Sequence, residues 1–145
     1  MPGIGLLTAT ALVAATGGSV SHFQDARHFA SWFGLTPREF SSGSRRSLGR
    51  ISKKGDRYLR MLLTHGARAV LRAATVARQA NRSLDGLRTW ALAVQARAHH
   101  NKAACALANK LARICFAVLR DASPYGQPVS RPNKKIERTA FAIAQ

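Results

Sequence analysis

The sequence predicts an all-α fold, because three long segments show amphipathic periodicity and no segment has a convincing strand pattern. At 100° per residue, apolar positions recur on one face of residues 56–80, 84–98 and 101–120. Two shorter helical segments precede them, at residues 6–15 and 24–33. With 145 residues, of which 46% are hydrophobic, the chain can form one domain with a real core. We therefore expect one domain over residues 1–125 and a flexible basic tail over residues 126–145.

The first helix follows the tetrapeptide PGIG and is expected to stop at the glycine pair 17–18. PGIG before an Ala- and Leu-rich helix is typical of the hairpin and second helix of a helix-hairpin-helix element. In such an element, glycines let backbone N–H groups approach a phosphate at the helix N-terminus. Gly3 and Gly5 are therefore candidate contacts to a nucleic-acid backbone. The alternative is a plain turn before a core helix.

The remaining helices are predicted from the side chains they would bury. The second helix would contribute Phe23, Phe29, Trp32 and Phe33 to the core. The long helix over residues 56–80 would pack through Leu59, Leu62, Leu63, Gly66, Val70, Ala73 and Ala77, with Arg57, Arg60, Arg68, Arg72 and Arg78 opposite. The last two would pack through Leu87, Trp90, Ala91 and Val94, and through Ala104, Leu107, Ala108, Leu111, Cys115 and Val118.

Between the short and the long helices, residues 36–55 are rich in Pro, Ser, Gly and Arg and lack apolar periodicity, which predicts an ordered or partly ordered loop. The positive charge concentrates in and just after this loop, at Arg45, Arg46, Arg50, Lys53, Lys54, Arg57 and Arg60. A serine among cations and glycines suits a nucleophile that attacks a DNA phosphate, because cations stabilise the charge that grows on the phosphate. Passive phosphate binding by the same residues is the alternative.

The charge balance points to a polyanionic partner. The chain has 23 Lys and Arg against 6 Asp and Glu, a formal charge of +17, and a pI near 11.8. Nucleic acid is the leading candidate, and a membrane-surface binder is ranked last because the helix faces carry few bulky anchors. Cys105 and Cys115 are read as small core residues of a reducing cytoplasm. The five histidines have no metal-site spacing, and no transmembrane span or signal peptide is expected, so we predict a cytoplasmic protein.

Several motifs in order resemble one known family over residues 2–125. They are PGIG with its Ala-rich helix, Phe23 with Ala26-Arg27, GLTP, SSG, GRISKKG, YLRMLL with Ala67, Asn101-Lys102-Ala103, ANKLAR and Pro124-Tyr125. This series resembles the C-terminal, serine-bearing domain of the DEDD-type insertion-sequence transposases, which are related to the Piv-type DNA invertases. The resemblance implies DNA transposition or site-specific recombination, with DNA as partner and, in some members, a guide RNA.

The resemblance also implies a division of labour between two domains. The family's nucleophilic serine precedes the glycine of the SG motif, which maps onto Ser42, with Ser41 and Ser44 as close alternatives. A RuvC-like domain upstream would hold divalent metal such as Mg²⁺ through its DEDD set. This chain starts at the hairpin, without a first hairpin helix, and its few acidic residues are scattered singly. We therefore expect no cofactor in this chain and no cleavage by it alone.

The alternative function is a non-enzymatic helix-hairpin-helix nucleic-acid binder, whose serines only hydrogen-bond phosphate. Without the first hairpin helix, an apolar face should be partly exposed and should favour self-association into a homo-oligomer.

Overall fold

The computed structural model describes residues 1–127, and within them the chain forms five helices and one two-stranded sheet. In chain order the elements are α1 Leu6–Thr16, α2 Ala26–Trp32, β1 Pro37–Glu39, β2 Leu48–Ile51, α3 Arg57–Gln79, α4 Gly86–Arg97 and α5 His100–Asp121. All five predicted helices are present and start or end within two residues of the expected positions. Most of the tail predicted over residues 126–145 lies outside the described residues.

Side-chain caps explain where three of the helices begin. The carboxylates of Asp25, Asp56 and Asp85 accept hydrogen bonds from backbone N–H groups in the first turns of α2, α3 and α4. An aspartate at this position satisfies donors that have no partner within the helix and favours the positive end of the helix dipole. At the other end of α1, Gly17 adopts a left-handed conformation with φ of 61°, which ends the helix at the predicted glycine pair.

The core lies where α3 and α5 cross, with α2 against α5, α4 against both long helices and α1 against α3. The approach of α1 depends on two glycines. A Cβ atom on Gly66 would lie 1.9 Å from the carbonyl oxygen of Gly3, so the chain ahead of α1 can touch α3 only if residue 66 lacks a side chain.

The predicted buried faces hold for most positions, with one error on α3. Ala73 is exposed, whereas Ala67, Leu71 and Ala74 are buried. The buried stripe of α3 is broader than expected and includes these residues, and α3 contacts α4 in addition to α5 and α1. A single-helix periodicity cannot reveal from how many sides a helix is covered.

Residues 37–51 contradict the prediction of a loop and of a fold without strands. β1 pairs with β2 in antiparallel register, with Pro37 opposite Ile51 and Glu39 opposite Leu48, and an irregularity between these pairs. The hairpin was missed because residues 37–50 are exposed on both faces. A strand that buries neither face has no reason to alternate apolar and polar residues, so the expected period-2 signal is absent.

Both cysteines are free thiols, and the predicted core position is confirmed for Cys115 but not for Cys105. Cys115 is buried, and burial raises the pKa of its thiol to about 12, because the thiolate would be poorly solvated there. Cys105 is half-buried. No helix within residues 1–127 is long and apolar enough to cross a membrane.

Candidate nucleic-acid interface

The tip of the β1–β2 hairpin is a two-residue turn that carries Ser42 at its edge. The backbone N–H groups of Ser42 and Arg45 each donate to the other residue's carbonyl oxygen, at 3.1 Å in both directions. Between them, Gly43 has a positive φ of 55° whereas Ser44 does not, which is the pattern of a type II′ turn. Ser42 lies five positions after Pro37, so at about 3.4 Å per residue an extended chain places the serine at most about 17 Å from Pro37.

The base of the hairpin is held by backbone contacts to the end of α2. The N–H of Lys53 donates to the carbonyl of Gly34 at 3.1 Å, and the N–H of Asp56 donates to the carbonyl of Trp32 at 3.3 Å. A Cβ on Gly55 would lie 1.9 Å from the Trp32 oxygen, and one on Gly34 would lie 2.3 Å from the Lys54 oxygen. The two glycines of the GLTP and SKKG motifs therefore permit two chain segments to touch at the hairpin base.

Two side chains from the long helices hold the same base. Nη1 of Arg60 on α3 donates to the Phe33 carbonyl at 2.9 Å, with the Gly55 carbonyl at 3.5 Å. Nδ2 of Asn109 on α5 donates to the Leu35 carbonyl at 3.3 Å. Motifs far apart in the sequence, YLR and ANKLAR, thus converge on one short segment.

The aromatic residues of α2 provide the rigid support beneath this segment. Phe29 and Phe33 are fully buried, and their rings meet edge to face with centroids 4.8 Å apart. Phe116 of α5 lies 5.7 Å from Phe29. The chain that enters the hairpin therefore starts from a fully buried aromatic pair of the core.

The two faces of the hairpin differ in charge. On one face, the hydroxyl of Ser41 donates to Glu39 Oε1 at 2.6 Å and accepts from the N–H of Ser47 at 3.2 Å. Nε of Arg46 lies 3.4 Å from the same Glu39 oxygen. Both ends of this ion pair are more than half exposed, so it contributes little stability, but it neutralises the charge of Arg46.

The opposite face carries Ser42 and its cross-strand partner Arg45. Since side chains alternate along a strand, these two residues project away from the Glu39 carboxylate. Among residues 1–127, the Ser42 hydroxyl makes no hydrogen bond and the Arg45 guanidinium makes no ion pair. An uncommitted serine hydroxyl beside an uncompensated cation is an arrangement that can receive a phosphate.

The predicted site residues form one cluster and one outlying pair. Arg45, Arg46, Arg50, Lys53, Lys54 and Arg57 are all exposed along the hairpin and at the start of α3. Arg60 belongs to the same region but is half-buried, because it clamps the hairpin base. Gly3 and Gly5 lie elsewhere, with Gly3 against Gly66, nine residues and about 13 Å along α3 from Arg57.

The acidic residues of the described region already have structural partners. Asp25, Asp56 and Asp85 cap helices, Glu39 binds Ser41 and Arg46, and Asp121 pairs with Arg120. Within residues 1–127 no three His, Cys, Asp or Glu side chains come together as a metal site. The carboxylates of the described residues are therefore engaged in helix capping and local ion pairs, and most of the positive charge of this region is left uncompensated.

Sequence reasoning missed the hairpin and the clamp residue Asn109. A signal for the hairpin was available in the pair Gly43-Ser44, because Gly-Ser is a residue pair that two-residue type II′ turns accept. Nothing local marks Asn109 as a contact to Leu35, which lies 74 positions away in the sequence.

Charge and geometry together define a strongly basic helical domain that presents a serine-tipped hairpin. The family model described as "Transposase IS116/IS110/IS902 family" matches residues 1–82 of this chain. Because this match covers more than half of the chain, the protein belongs to that family.

The relatives agree with this assignment. The chain is 48% identical over 117 residues to a protein described as "Probable family 20 transposase" from Pseudomonas aeruginosa, covering 81% of this chain and 32% of the relative. It is 39% identical over 125 residues to the "Transposase for insertion sequence element IS1111A" of Coxiella burnetii, covering 86% and 32%. It is 41% identical over 118 residues to the "Transposase for insertion sequence element IS1328" of Yersinia enterocolitica, covering 81% and 33%. The chain thus spans about a third of the length of these relatives.

Proposed function

We propose that this chain is the DNA-handling, serine-bearing part of a transposase, in which Ser42 is the nucleophile. The observation that carries the proposal is the uncommitted Ser42 hydroxyl at the hairpin tip, directly across the closing turn from Arg45. The neighbouring Ser41 is a poorer candidate, because its hydroxyl is engaged on both sides by Glu39 and Ser47. The Ser44 hydroxyl also makes no hydrogen bond among residues 1–127, but Ser44 lies within the turn and has no cross-strand cation opposite it.

In the proposed reaction, Ser42 Oγ forms a bond to a DNA phosphorus atom while the bond from that phosphorus to a deoxyribose oxygen breaks. The hydroxyl proton passes to a base and the departing oxygen gains a proton, so the product is a phosphodiester between serine and DNA. Arg45 would stabilise the negative charge that develops on the non-bridging oxygens. Because the described carboxylates are committed elsewhere, metal and base are expected from an acidic, RuvC-like domain outside this chain.

The remaining cations would position the strand. Arg50, Lys53, Lys54 and Arg57 follow the hairpin toward its base and would neutralise successive phosphates of DNA or of a guide RNA, and Arg46 would join them by exchanging its exposed ion pair with Glu39 for a phosphate. Gly3 and Gly5 would add a helix-hairpin-helix phosphate contact at the start of α1. This is supported by the uncapped N-terminus of α1, although Gly3 also has a packing role against Gly66. Self-association would draw on α1, whose Leu6, Leu7 and Val13 are exposed.

The test exchanges the matching third of the Pseudomonas aeruginosa relative for this chain and compares three serine variants of the chimera. We expect Ser42→Ala to lower strand transfer by at least about 1000-fold and to abolish the covalent protein–DNA adduct, with DNA affinity unchanged within about twofold. Ser41→Ala and Ser44→Ala are the matched controls and should retain activity. Full activity of Ser42→Ala would leave a non-enzymatic nucleic-acid binder as the better account.

A further inference from the structure

A second basic feature lies on α3 beyond the hairpin, in a cavity of about 350 Å³ between α3, Gln95 of α4 and the first residue of α5. We call it the α3–α4 cavity. Of the cations that line this cavity, Arg68 is the closest to the hairpin along the chain. It is eleven residues after Arg57 on α3, which corresponds to about 16 Å along the helix axis. It shares no residue with the hairpin or with the PGIG segment, so it is a separate site.

Two uncompensated cations stand at its mouth. Arg68 and Arg72 are four residues apart on α3, hence on the same helix face, and both side chains are exposed. Neither guanidinium has an ion-pair or hydrogen-bond partner among residues 1–127. His100, the first residue of α5, also lines the cavity. Adjacent arginines without acidic partners favour an anion that both can contact, and a phosphodiester meets this need.

The interior of the cavity is apolar. Among its lining residues, Val76 is 55% exposed and offers apolar surface, while Leu71 is fully buried behind that surface. Its volume is at the lower end of the range for small-molecule sites. A flat ring system could cover this apolar surface while an attached phosphate reached the arginines, whereas a base-paired duplex is too wide to enter.

The polar handle inside the cavity is Gln95. Its Nε2 lies 3.3 Å from Nδ1 of His100, and its Oε1 is shielded from solvent without any hydrogen-bond partner among the described residues. An unpaired buried carbonyl oxygen is unfavourable, and rotation about the terminal χ3 torsion, which is broad for glutamine, would present it to a donor in the cavity. The ring N–H and amino groups on the pairing edge of a nucleobase are such donors.

We propose that the α3–α4 cavity binds one unpaired nucleotide of a nucleic-acid strand. Arg68 and Arg72 hold its phosphate, Val76 contacts the base, and Gln95 accepts a hydrogen bond from the base edge. This inference goes beyond the function proposed for Ser42 and does not require it, because a strand can be held here whether or not the hairpin serine reacts.

The test measures the affinity of the full chain for fluorescent oligonucleotides of equal length: a single strand of cytidines, the same backbone without bases, and a blunt duplex. The double variant Arg68→Ala/Arg72→Ala is compared with Arg78→Ala/Arg82→Ala, which removes the same charge from exposed positions outside the cavity. We expect the first double variant to bind the single strand about tenfold more weakly than the control variant, since two phosphate contacts are lost in addition to general charge. Both should bind the duplex equally.

A second variant tests whether a base is held. The unaltered chain should prefer the base-containing strand over the abasic one by about fivefold or more, and Gln95→Leu should remove most of that preference. Unchanged helical circular dichroism and melting temperature would show that this variant is folded. The proposal is overturned if both double variants lose equal affinity, or if the abasic strand binds as well as the cytidine strand. Neither outcome depends on Ser42→Ala, so this inference and the nucleophile proposal fail separately.

Discussion

The hairpin and the helical body that carries it are held together by opposite means. The body buries large side chains, and Phe29, Phe33, Leu63 and Leu107 have no exposed surface at all. The hairpin buries almost nothing between residues 37 and 50, and it is ordered by backbone pairing and by its base. The comparison shows that a segment can be well positioned without a core of its own, provided that the core fixes both of its ends.

The difference suits the phosphate-binding role proposed for the hairpin. Burial of Arg45, Arg50 or Lys53 would desolvate their charges at a cost that no acidic partner among residues 1–127 offsets. Placing the cations on a two-sided hairpin keeps them hydrated and leaves them accessible to the proposed phosphate ligand. The hairpin is instead fixed at its base, where two chain segments come very close together. Gly34 and Gly55 allow contacts there that a side chain would prevent.

The largest expected effect tests whether the core and the hairpin differ in stability. Phe33→Ala removes a fully buried ring and should lower the free energy of unfolding by about 3–5 kcal/mol. Phe40→Ala removes the same ring from a hairpin position that is 66% exposed and should change it by no more than about 0.5 kcal/mol. Urea denaturation followed by circular dichroism measures both. Similar losses in the two variants would mean that the hairpin is part of the cooperative core.

An intermediate effect is expected at the hairpin base. Gly55→Ala combines a φ of 120° with a Cβ against the Trp32 carbonyl, so it should destabilise the protein at the upper end of about 1–3 kcal/mol. Gly86→Ala is the matched control, because a Cβ at residue 86 meets no atom within 4 Å, and this variant should be neutral or slightly stabilising. Thermal unfolding compares them. A neutral Gly55→Ala would show that the base does not need the close contact.

The smallest expected effect distinguishes the stability that Arg60 contributes through its hydrogen bond from any contribution of its positive charge. Arg60→Met removes the hydrogen bond to the Phe33 carbonyl and should cost about 1–2 kcal/mol of folding stability. Arg57→Met loses the same charge from an exposed position and should leave stability unchanged within about 0.5 kcal/mol. If both variants unfold at the same urea concentration, Arg60 acts only as a surface cation.

The helices were predictable because their information is local. Aspartates 25, 56 and 85 mark helix starts, Gly17 marks a helix end, and the apolar periods of α4 and α5 identify residues that are buried or half-buried. The family resemblance was predictable for a related reason, since its motifs are short and occur in order along the chain.

The sequence by itself also determined the charge, the cation cluster and the candidacy of Ser42. Only the tertiary structure decided that the basic loop is a β-hairpin, that Arg60 and Asn109 clamp its base, and that Gly3 packs on Gly66. These features depend on contacts between distant segments and on backbone close approach. Neither leaves a periodic trace in the sequence, because an exposed hairpin buries no face and a single amide or guanidinium contact has no repeat.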